Sequence, residues 1–217
     1  GAMQVLEWAV LYPDRVTAIA PIAAGPTQSA WGIALSEAQR QAIKTDSNYA
    51  DGRYALGAGP ARGLAAARAI AMISYRSPHN FDARFGRTEN HAATFEVQSY
   101  LRHQGDKLVN RFDANTYLTL IGAMDSHDVG RDRGSVAEAL GAIEQPALVI
   151  SVSSDGLYPA TEVAEMAELL PNAELYEIDA PHGHDAFLIR VAEVNDRLVD
   201  FIATHRPRQS LRRAAND

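Results

Sequence analysis

The sequence contains no cysteine among its 217 residues. Disulfide bonds and thiolate metal sites are therefore excluded, and the composition is compatible with a reducing compartment. The formal net charge is -7, which argues against a nucleic-acid-binding protein because phosphate binding needs a basic face. The basic exception is RPRQSLRR near the C-terminus, which we expect to belong to a solvated polar tail over 206–217.

Long apolar runs are also missing. None approaches the roughly 20 residues that a membrane-spanning helix needs, and none resembles a signal peptide. An apolar content of 47% nevertheless allows a sizeable buried core. These features are typical of a cytoplasmic enzyme, or of a piece of one, with neither a membrane nor a nucleic acid as partner.

Apolar periodicity divides the chain into three parts. Helical spacing over 3–12, followed by a β-rich run over 16–23, predicts a helix–strand unit of an α/β sheet. From 26 to 140 the strand pattern disappears, and helical stretches separated by Gly, Pro and Asn follow. Strands and helices then alternate again, with strands predicted at 147–152 and 174–178 and helices at 160–170 and 185–204.

This order predicts an α/β fold with an insertion. We expect the sheet-containing core to come from 1–25 and 141–205, and the helical block over 26–140 to form a cap domain between its two parts. A core made only of these segments would be the last part of a parallel sheet.

Two chemically active residues each follow a short apolar run. Asp155 stands after the first predicted strand in SVSSD, and His184 after the second in APHGHDAFL. Residues at the carboxyl ends of parallel strands face the crevice of doubly wound enzymes. An acid followed by a histidine fits the end of a catalytic triad, whose nucleophile lies upstream on a G-x-S-x-G turn. Alternatively, Asp155 merely begins a turn and caps the next helix.

A serine in the place of the nucleophile is absent. The opening GAMQVLEWAVLYPDRV has the pattern of the helix that follows such a turn, yet the first serine, Ser29, comes only after the next predicted strand. Residue 1 is Gly1 rather than Met, so the start is a proteolytic end, a shortened reading frame or a tag remnant. We therefore expect the nucleophile upstream of residue 1.

A metal site is the competing interpretation of His182, His184 and Asp185. Binuclear zinc hydrolases use H-x-H-x-D-H, whereas here the Asp directly follows the second His and HGHDAF contains no third His. We expect no metal, and we interpret His182 as a loop residue.

Several blocks of the sequence resemble the homoserine O-acyltransferases, chiefly the homoserine O-acetyltransferases of methionine biosynthesis. They cover nearly the whole chain up to about residue 204, which is more specific than a single motif. The resemblance implies a partial α/β-hydrolase fold whose nucleophile serine lies two or three positions before residue 1. The blocks are GAMQVLEWAVLYPDRV, SAWGIALSEAQRQAI, GPARGLAAARAIAMISYRS, FEVQSYLRHQGDKLVNRFDANTYLTLIGAMDSHDVGRDRG, SVSSDGLYP and APHGHDAFL.

The resemblance also implies roles for five residues. Asp155 and His184 match the triad acid and histidine. Arg68 would hold the carboxylate of the amino-acid substrate with Tyr75 beside it, and Asp185 would hold the ammonium. A guanidinium suits a carboxylate, and two helical turns place Arg68 and Tyr75 on one face. The alternatives are a solvated helix arginine for Arg68 and a core aromatic for Tyr75.

The activity implied is transfer of an acetyl or succinyl group from acyl-CoA to the hydroxyl of L-homoserine through an acyl-serine. No cofactor is expected besides the acyl-CoA co-substrate. The apolar faces of FEVQSYLRH and TYLTLIGAM are expected to form a homodimer seam or to pack onto the core. The alternatives are an esterase of the same fold, a serine or deacetylcephalosporin acyltransferase, and a fragment or half of a split enzyme that is inactive alone.

Overall fold

The computed structural model describes residues 1–55, 57–90 and 92–205. The tail predicted at 206–217 lies outside the described residues. Within the described ranges the chain forms two β-strands and ten α-helices. The strands are β1 (Ala147–Val152) and β2 (Ala173–Ile178). The helices are α1 (Ala2–Leu11), α2 (Ala30–Lys44), α3 (Ala61–Ser74), α4 (Pro78–Phe85), α5 (Glu96–Val109), α6 (Ala114–Asp125), α7 (Val136–Gly141), α8 (Ala160–Leu169), α9 (Ala186–Ile189) and α10 (Val191–His205).

Strand β1 is the centre of a parallel sheet. It pairs with β2 in register from Ala147 opposite Ala173 to Val152 opposite Ile178. All six residues of β1 are buried, whereas β2 exposes several of its side chains. The continuous apolar sequence ALVISV fits this place, because a strand covered on both faces has no polar side.

The strand predicted at 16–23 forms only two isolated parallel bridges, which pair Ile19 with Ala147 and Ile22 with Ile150. The register is the same at both bridges. In that register the N–H of residue 21 would donate to the carbonyl of Leu148, but residue 21 is Pro21 and has no N–H. The segment lies along β1 as expected, and the proline interrupts its ladder.

Alternation along β1 divides the core into two faces. Ala147 and Val149 pack into a cluster with residues of α1, α7 and α8, such as Leu6 and Met166. Leu148, Ile150 and Val152 point to the opposite face, where they meet residues of β2, α9 and α10. Helices therefore cover both sides of the sheet, which is required because successive side chains of β1 point to opposite faces and all of them are buried.

The helices between the two core segments have a cluster of their own. It joins residues of α2, α3, α5 and α6, among them Ile43, Leu64 and Ile121. The domain limit at residue 140 stays a prediction. Packing adds one detail, because Val129 and Leu140, which precede that limit, belong to the cluster around β1 rather than to the cap cluster.

Two local features differ from the predicted elements. The helix expected over 185–204 is divided at Arg190, whose ψ of 43° interrupts the helical backbone between α9 and α10. Helices α4 and α7 were not predicted as separate helices, although the start of α4 carries a recognisable signal. Ser77 accepts a hydrogen bond from the N–H of Asn80, and Pro78 occupies the first helical position. None of the helices described has the length and apolar character needed to cross a bilayer.

Gly105 permits a close helix–helix approach in the cap and generates a stability prediction. A Cβ added at Gly105 of α5 would lie 2.8 Å from the carbonyl oxygen of Ala65 in α3, whereas a Cβ at Gly122 of α6 would meet nothing within 4 Å. We expect Gly105→Ala to lower the free energy of unfolding by about 1 to 3 kcal/mol through overpacking. Gly122→Ala should be neutral or stabilising by up to about 1 kcal/mol because alanine favours helix.

Urea unfolding of the two variants checks this prediction. Equal effects of the two substitutions would contradict the close packing of α3 on α5.

Candidate active site

The side chain of Asp155 lies at the end of β1 and is fully buried. Its Oδ1 accepts hydrogen bonds from the backbone N–H groups of Leu157 at 2.8 Å and Tyr158 at 2.9 Å. Its Oδ2 lies 2.8 Å from Nδ1 of His184. The turn role and the histidine contact considered for Asp155 therefore coexist on different oxygens, while the cap position of α8 belongs to Pro159.

His184 is held by this carboxylate and surrounded by aromatic rings. A neutral imidazole that donates from Nδ1 to Asp155 leaves Nε2 as its proton acceptor. The ring centroids of Tyr75, Tyr158 and Phe187 lie 5.8, 5.6 and 5.5 Å from that of His184. The side chain of His184 is 16% exposed, so the imidazole is shielded from bulk water without being sealed from the cavities beside it.

The loop that carries His184 is fixed to the end of β1. The hydroxyl of Ser154 donates to the carbonyl of Ala180 at 2.5 Å and accepts from the N–H of Gly183 at 2.9 Å. Gly183 has a φ of +77°, a conformation that glycine adopts without steric cost. These hydrogen bonds fix the position of His184 relative to the end of β1.

The same loop is also fixed to the cap. The N–H of Asp185 donates to the carbonyl of Tyr75 at 3.1 Å, and the hydroxyl of Ser77 donates to the carbonyl of Pro181. His182 lies 3.1 Å from the amide nitrogen of Asn80 through its Nδ1, so it takes part in a loop contact. In the described part of the chain, no group of three or more His, Asp and Glu residues could hold a metal ion.

A cavity of about 470 Å³ brings the predicted site residues together. Arg68, Tyr75, His184 and Asp185 all line it. The guanidinium carbon of Arg68 lies 5.4 Å from the centroid of the Tyr75 ring, and burial raises the pKa of the Tyr75 hydroxyl. Among the described residues no carboxylate forms a salt bridge with Arg68.

Three residues near the site were missed by the sequence analysis. Nη2 of Arg76 lies 3.2 Å from Oδ2 of Asp185. Two buried amides line the same cavity, Gln28 and Gln39, and accept hydrogen bonds from the hydroxyls of Tyr158 and Tyr117. Only Arg76 had a signal in the sequence, namely its place directly after Tyr75. Gln39 stands in a helical pattern and Gln28 just before it, and neither position gives a sign of the site.

A second cavity of about 660 Å³ meets the first at the histidine. Gly1 and Ala2 line it at the start of α1, and Tyr158, His184 and Phe187 line both cavities. The N-terminus of α1 therefore faces the same space as the imidazole. Unpaired N–H groups at a helix N-terminus favour negative charge, which suits a site where an oxyanion develops.

A family model described as alpha/beta hydrolase fold matches residues 1–191. The chain belongs to the α/β-hydrolase fold family. The fold class predicted from the strand order and from the resemblance is thereby confirmed, with a short parallel sheet and helices on both of its faces.

Curated relatives narrow the resemblance within this family. A homoserine O-acetyltransferase of Nostoc punctiforme is 53% identical over 201 residues, which cover 90% of this chain and 56% of the relative. One of Trichormus variabilis is 54% identical over 204 residues, covering 93% of this chain and 56% of the relative. The predicted resemblance is confirmed, and the chain spans about half the length of the curated relatives it matches.

Solved structures support the fold. A homoserine O-acetyltransferase from Bacillus anthracis superimposes with a TM-score of 0.85 at 23% identity, over 93% of this chain and 57% of that one. At this level of identity the likeness concerns the fold alone.

The buried hydroxyl of Tyr158 generates a pH prediction. Burial raises its pKa from the ordinary value of 10 to about 12. Because the folded-state pKa is the higher one, this stabilisation is fully present below pH 10 and is lost as the pH rises through about 12. Between pH 10 and 12 the wild type should lose about 2 to 3 kcal/mol more free energy of unfolding than Tyr158→Phe.

Denaturant titrations of both proteins at pH 9, 10, 11 and 12 measure this difference. Parallel pH dependences would contradict the burial of the neutral phenol.

Proposed function

We propose that the protein is an acyltransferase that moves an acetyl group from acetyl-CoA to the hydroxyl of L-homoserine through an acyl-serine. The observation that carries the proposal is the Asp155–His184 pair, whose histidine lines one cavity with Arg68 and Asp185. The names of the curated relatives support the same activity. Transfer of a succinyl group is a variant of this proposal, and the residues of the acyl pocket would determine which acyl group is transferred.

The nucleophile in this proposal is a serine that precedes Gly1. The start of α1 lines the cavity that contains His184, which is where a strand-to-helix turn before α1 would lead. Nearby serines are engaged elsewhere: Ser74, Ser77 and Ser154 each donate their hydroxyl to a backbone carbonyl. The 217 residues alone are then expected to be inactive.

The first half-reaction requires one proton transfer to His184. Its Nε2 accepts the serine proton while the serine oxygen attacks the thioester carbon, and Asp155 stabilises the imidazolium and holds the ring in its tautomer. The tetrahedral intermediate collapses, the carbon–sulfur bond breaks, and CoA leaves with the proton that His184 returns. Backbone N–H groups at the start of α1, which lines the cavity beside His184, would stabilise the oxyanion.

The second half-reaction uses the residues of the smaller cavity. Arg68 binds the carboxylate of homoserine, Asp185 its ammonium, and Tyr75 packs between Arg68 and His184. His184 then removes the proton from the acceptor hydroxyl as it attacks the acyl-serine. The tetrahedral intermediate collapses, the bond between the acyl carbon and the serine oxygen breaks, and His184 returns the proton to the serine. Transfer rather than hydrolysis requires that water be kept away from the acyl-serine. The contacts between the cap and the histidine loop would cover the acyl group on one side.

An esterase is the second candidate function. The solved structure of esterase E22 superimposes with a TM-score of 0.84 at 22% identity, over 93% of this chain and 58% of that one. An esterase needs the Asp155–His184 pair but no pair of charges for an amino acid. Arg68 and Asp185 line one cavity, and among the described residues Arg68 has no carboxylate partner. This favours transfer to an amino-acid acceptor, although a serine or deacetylcephalosporin acceptor would also suit such a cavity.

Location and assembly belong to the same proposal. A biosynthetic acyltransferase that uses acyl-CoA works in the cytoplasm, where acyl-CoA is found. A homodimer seam on the cap helices α5 and α6 is part of the proposal. Light scattering of the purified protein measures the oligomeric state directly.

The first test of the function uses the native full-length protein. With acetyl-CoA and L-homoserine we expect CoA release and O-acetylhomoserine, detected by a thiol assay and by mass spectrometry. Asp155→Asn should lower kcat roughly 10⁴-fold, because the imidazole loses its orienting carboxylate. Asp179→Asn is the matched control, since Asp179 lies in the histidine loop but contacts Ser153.

Acetyl-CoA hydrolysis without any amino-acid product would instead support the esterase. Transfer by the isolated 217 residues that disappears on mutation of a serine within them would contradict the upstream nucleophile.

The second test concerns Arg68. Arg68→Ala should cost about 1.5 to 3 kcal/mol of acceptor binding, because the substrate carboxylate loses a charge-assisted partner. The homoserine KM should rise, while the burst of CoA release in the absence of acceptor stays nearly unchanged. Pre-steady-state assays of the two half-reactions separate these effects. Loss of the CoA burst with an unchanged homoserine KM would assign Arg68 to the acyl donor or to the fold.

A further inference from the structure

Arg76 contacts the residues on both sides of His184. A Cβ added at Gly183 would lie 2.5 Å from the carbonyl carbon of Arg76 and 2.7 Å from its Cα, so the two backbones touch. On the other side, Nη2 of Arg76 lies 3.2 Å from Oδ2 of Asp185. One cap residue therefore contacts both chain neighbours of His184, namely Gly183 and Asp185.

Burial of the Arg76 guanidinium costs free energy, because the charged group loses hydration. The side chains of Arg76 and Asp185 are each only 17% exposed. Nε of Arg76 is buried without a hydrogen-bond partner among the described residues, and Asp185 is the only carboxylate there with which Arg76 forms a salt bridge. A buried charge of this kind depends on its partner, because breaking such a pair leaves an uncompensated charge.

The fold alone does not need this pair. The N–H of Asp185 already donates to the carbonyl of Tyr75, and the hydroxyl of Ser77 already binds Pro181. The backbone of the histidine loop is therefore fixed without the Arg76 guanidinium. What the guanidinium adds is the orientation of the Asp185 side chain, whose Oδ1 has no hydrogen bond within the described structure.

We propose that Arg76 is a positioning residue for the acceptor: it holds Oδ2 of Asp185 so that Oδ1 faces the α-ammonium of the amino acid. This inference rests on the proposed function. Arg76 is not expected to touch the substrate, and it acts only through Asp185. Its loss should therefore weaken acceptors that carry an α-ammonium and spare the carboxylate contact of Arg68.

Kinetics of the full-length protein test the proposal. In Arg76→Gln the homoserine KM should rise about tenfold or more, whereas kcat and the CoA burst without acceptor stay within about threefold. Arg76→Lys, which keeps the positive charge, should restore much of the loss. With 4-hydroxybutyrate, an acceptor without the ammonium, wild type and Arg76→Gln should perform alike.

A matched control is available elsewhere in the cap. Arg40 has a side chain 21% exposed and pairs with Asp125 rather than with a residue of the histidine loop. Arg40→Gln should lower the stability of the cap without changing the homoserine KM. An unchanged homoserine KM in Arg76→Gln, or an equal loss with both acceptors, would overturn the proposal.

The position of the Asp185 side chain separates this inference from the proposed function. If the wild type acylates no homoserine, the proposed function is wrong, and the positioning role is decided on the side chain itself. In crystal structures of the full-length protein, the Asp185 carboxylate should change its rotamer in Arg76→Gln and keep its position in Arg40→Gln, while the loop backbone stays in place in both variants. An unchanged Asp185 side chain in Arg76→Gln would show that Arg76 positions nothing.

Discussion

The carboxylate of Asp155 is the interaction on which the site depends. Three hydrogen bonds converge on a side chain without solvent exposure: two come from the turn after β1 and one involves His184. An ionised carboxylate loses its hydration on burial, and charge-assisted hydrogen bonds must replace it. The turn donors therefore make it possible for the charge to stand beside the imidazole. The hydroxyl of Tyr158, whose N–H is one of these donors, also donates to Gln28. This hydrogen bond links the turn after β1 to the start of the cap.

The site lies on the boundary between sheet and cap rather than within either. The end of β1 supplies the acid, the loop after β2 supplies the histidine, and α3 supplies Arg68. The N–H of Asp185 donates to the carbonyl of Tyr75, and the hydroxyl of Ser77 donates to the carbonyl of Pro181. These two hydrogen bonds fix the histidine loop to the cap. A movement of the cap at this place would therefore disturb the imidazole. The cap acts here as a structural wall of the site, and access to His184 is through the two cavities that meet at it.

The sequence predicted those features that depend on local pattern. Buried strands read as apolar runs, and polar residues directly after them, Asp155 and His184, fall at one edge of the sheet by geometry alone. The ladder next to β1 was not predictable in detail, since the lost bond depends on the register that places Pro21 opposite a carbonyl. The pair of Arg76 with Asp185 spans 109 positions and joins two elements whose relative placement no periodicity encodes. The resemblance to a family supplied Arg68, which its helical surroundings alone would assign to a solvated face.

The two charged groups assigned to the acceptor differ in their partners. Arg68 has no carboxylate partner among the described residues, whereas Asp185 already has Arg76. Under the proposed function, the carboxylate of the acceptor thus meets an uncompensated cation, but its ammonium must share an anion that is partly neutralised. Electrostatic attraction in a site of low dielectric is strongest where no partner screens it. The affinity for an amino acid would then come mainly from Arg68. Asp185 would contribute discrimination, because an acceptor without an ammonium forgoes the contact with Oδ1 of Asp185.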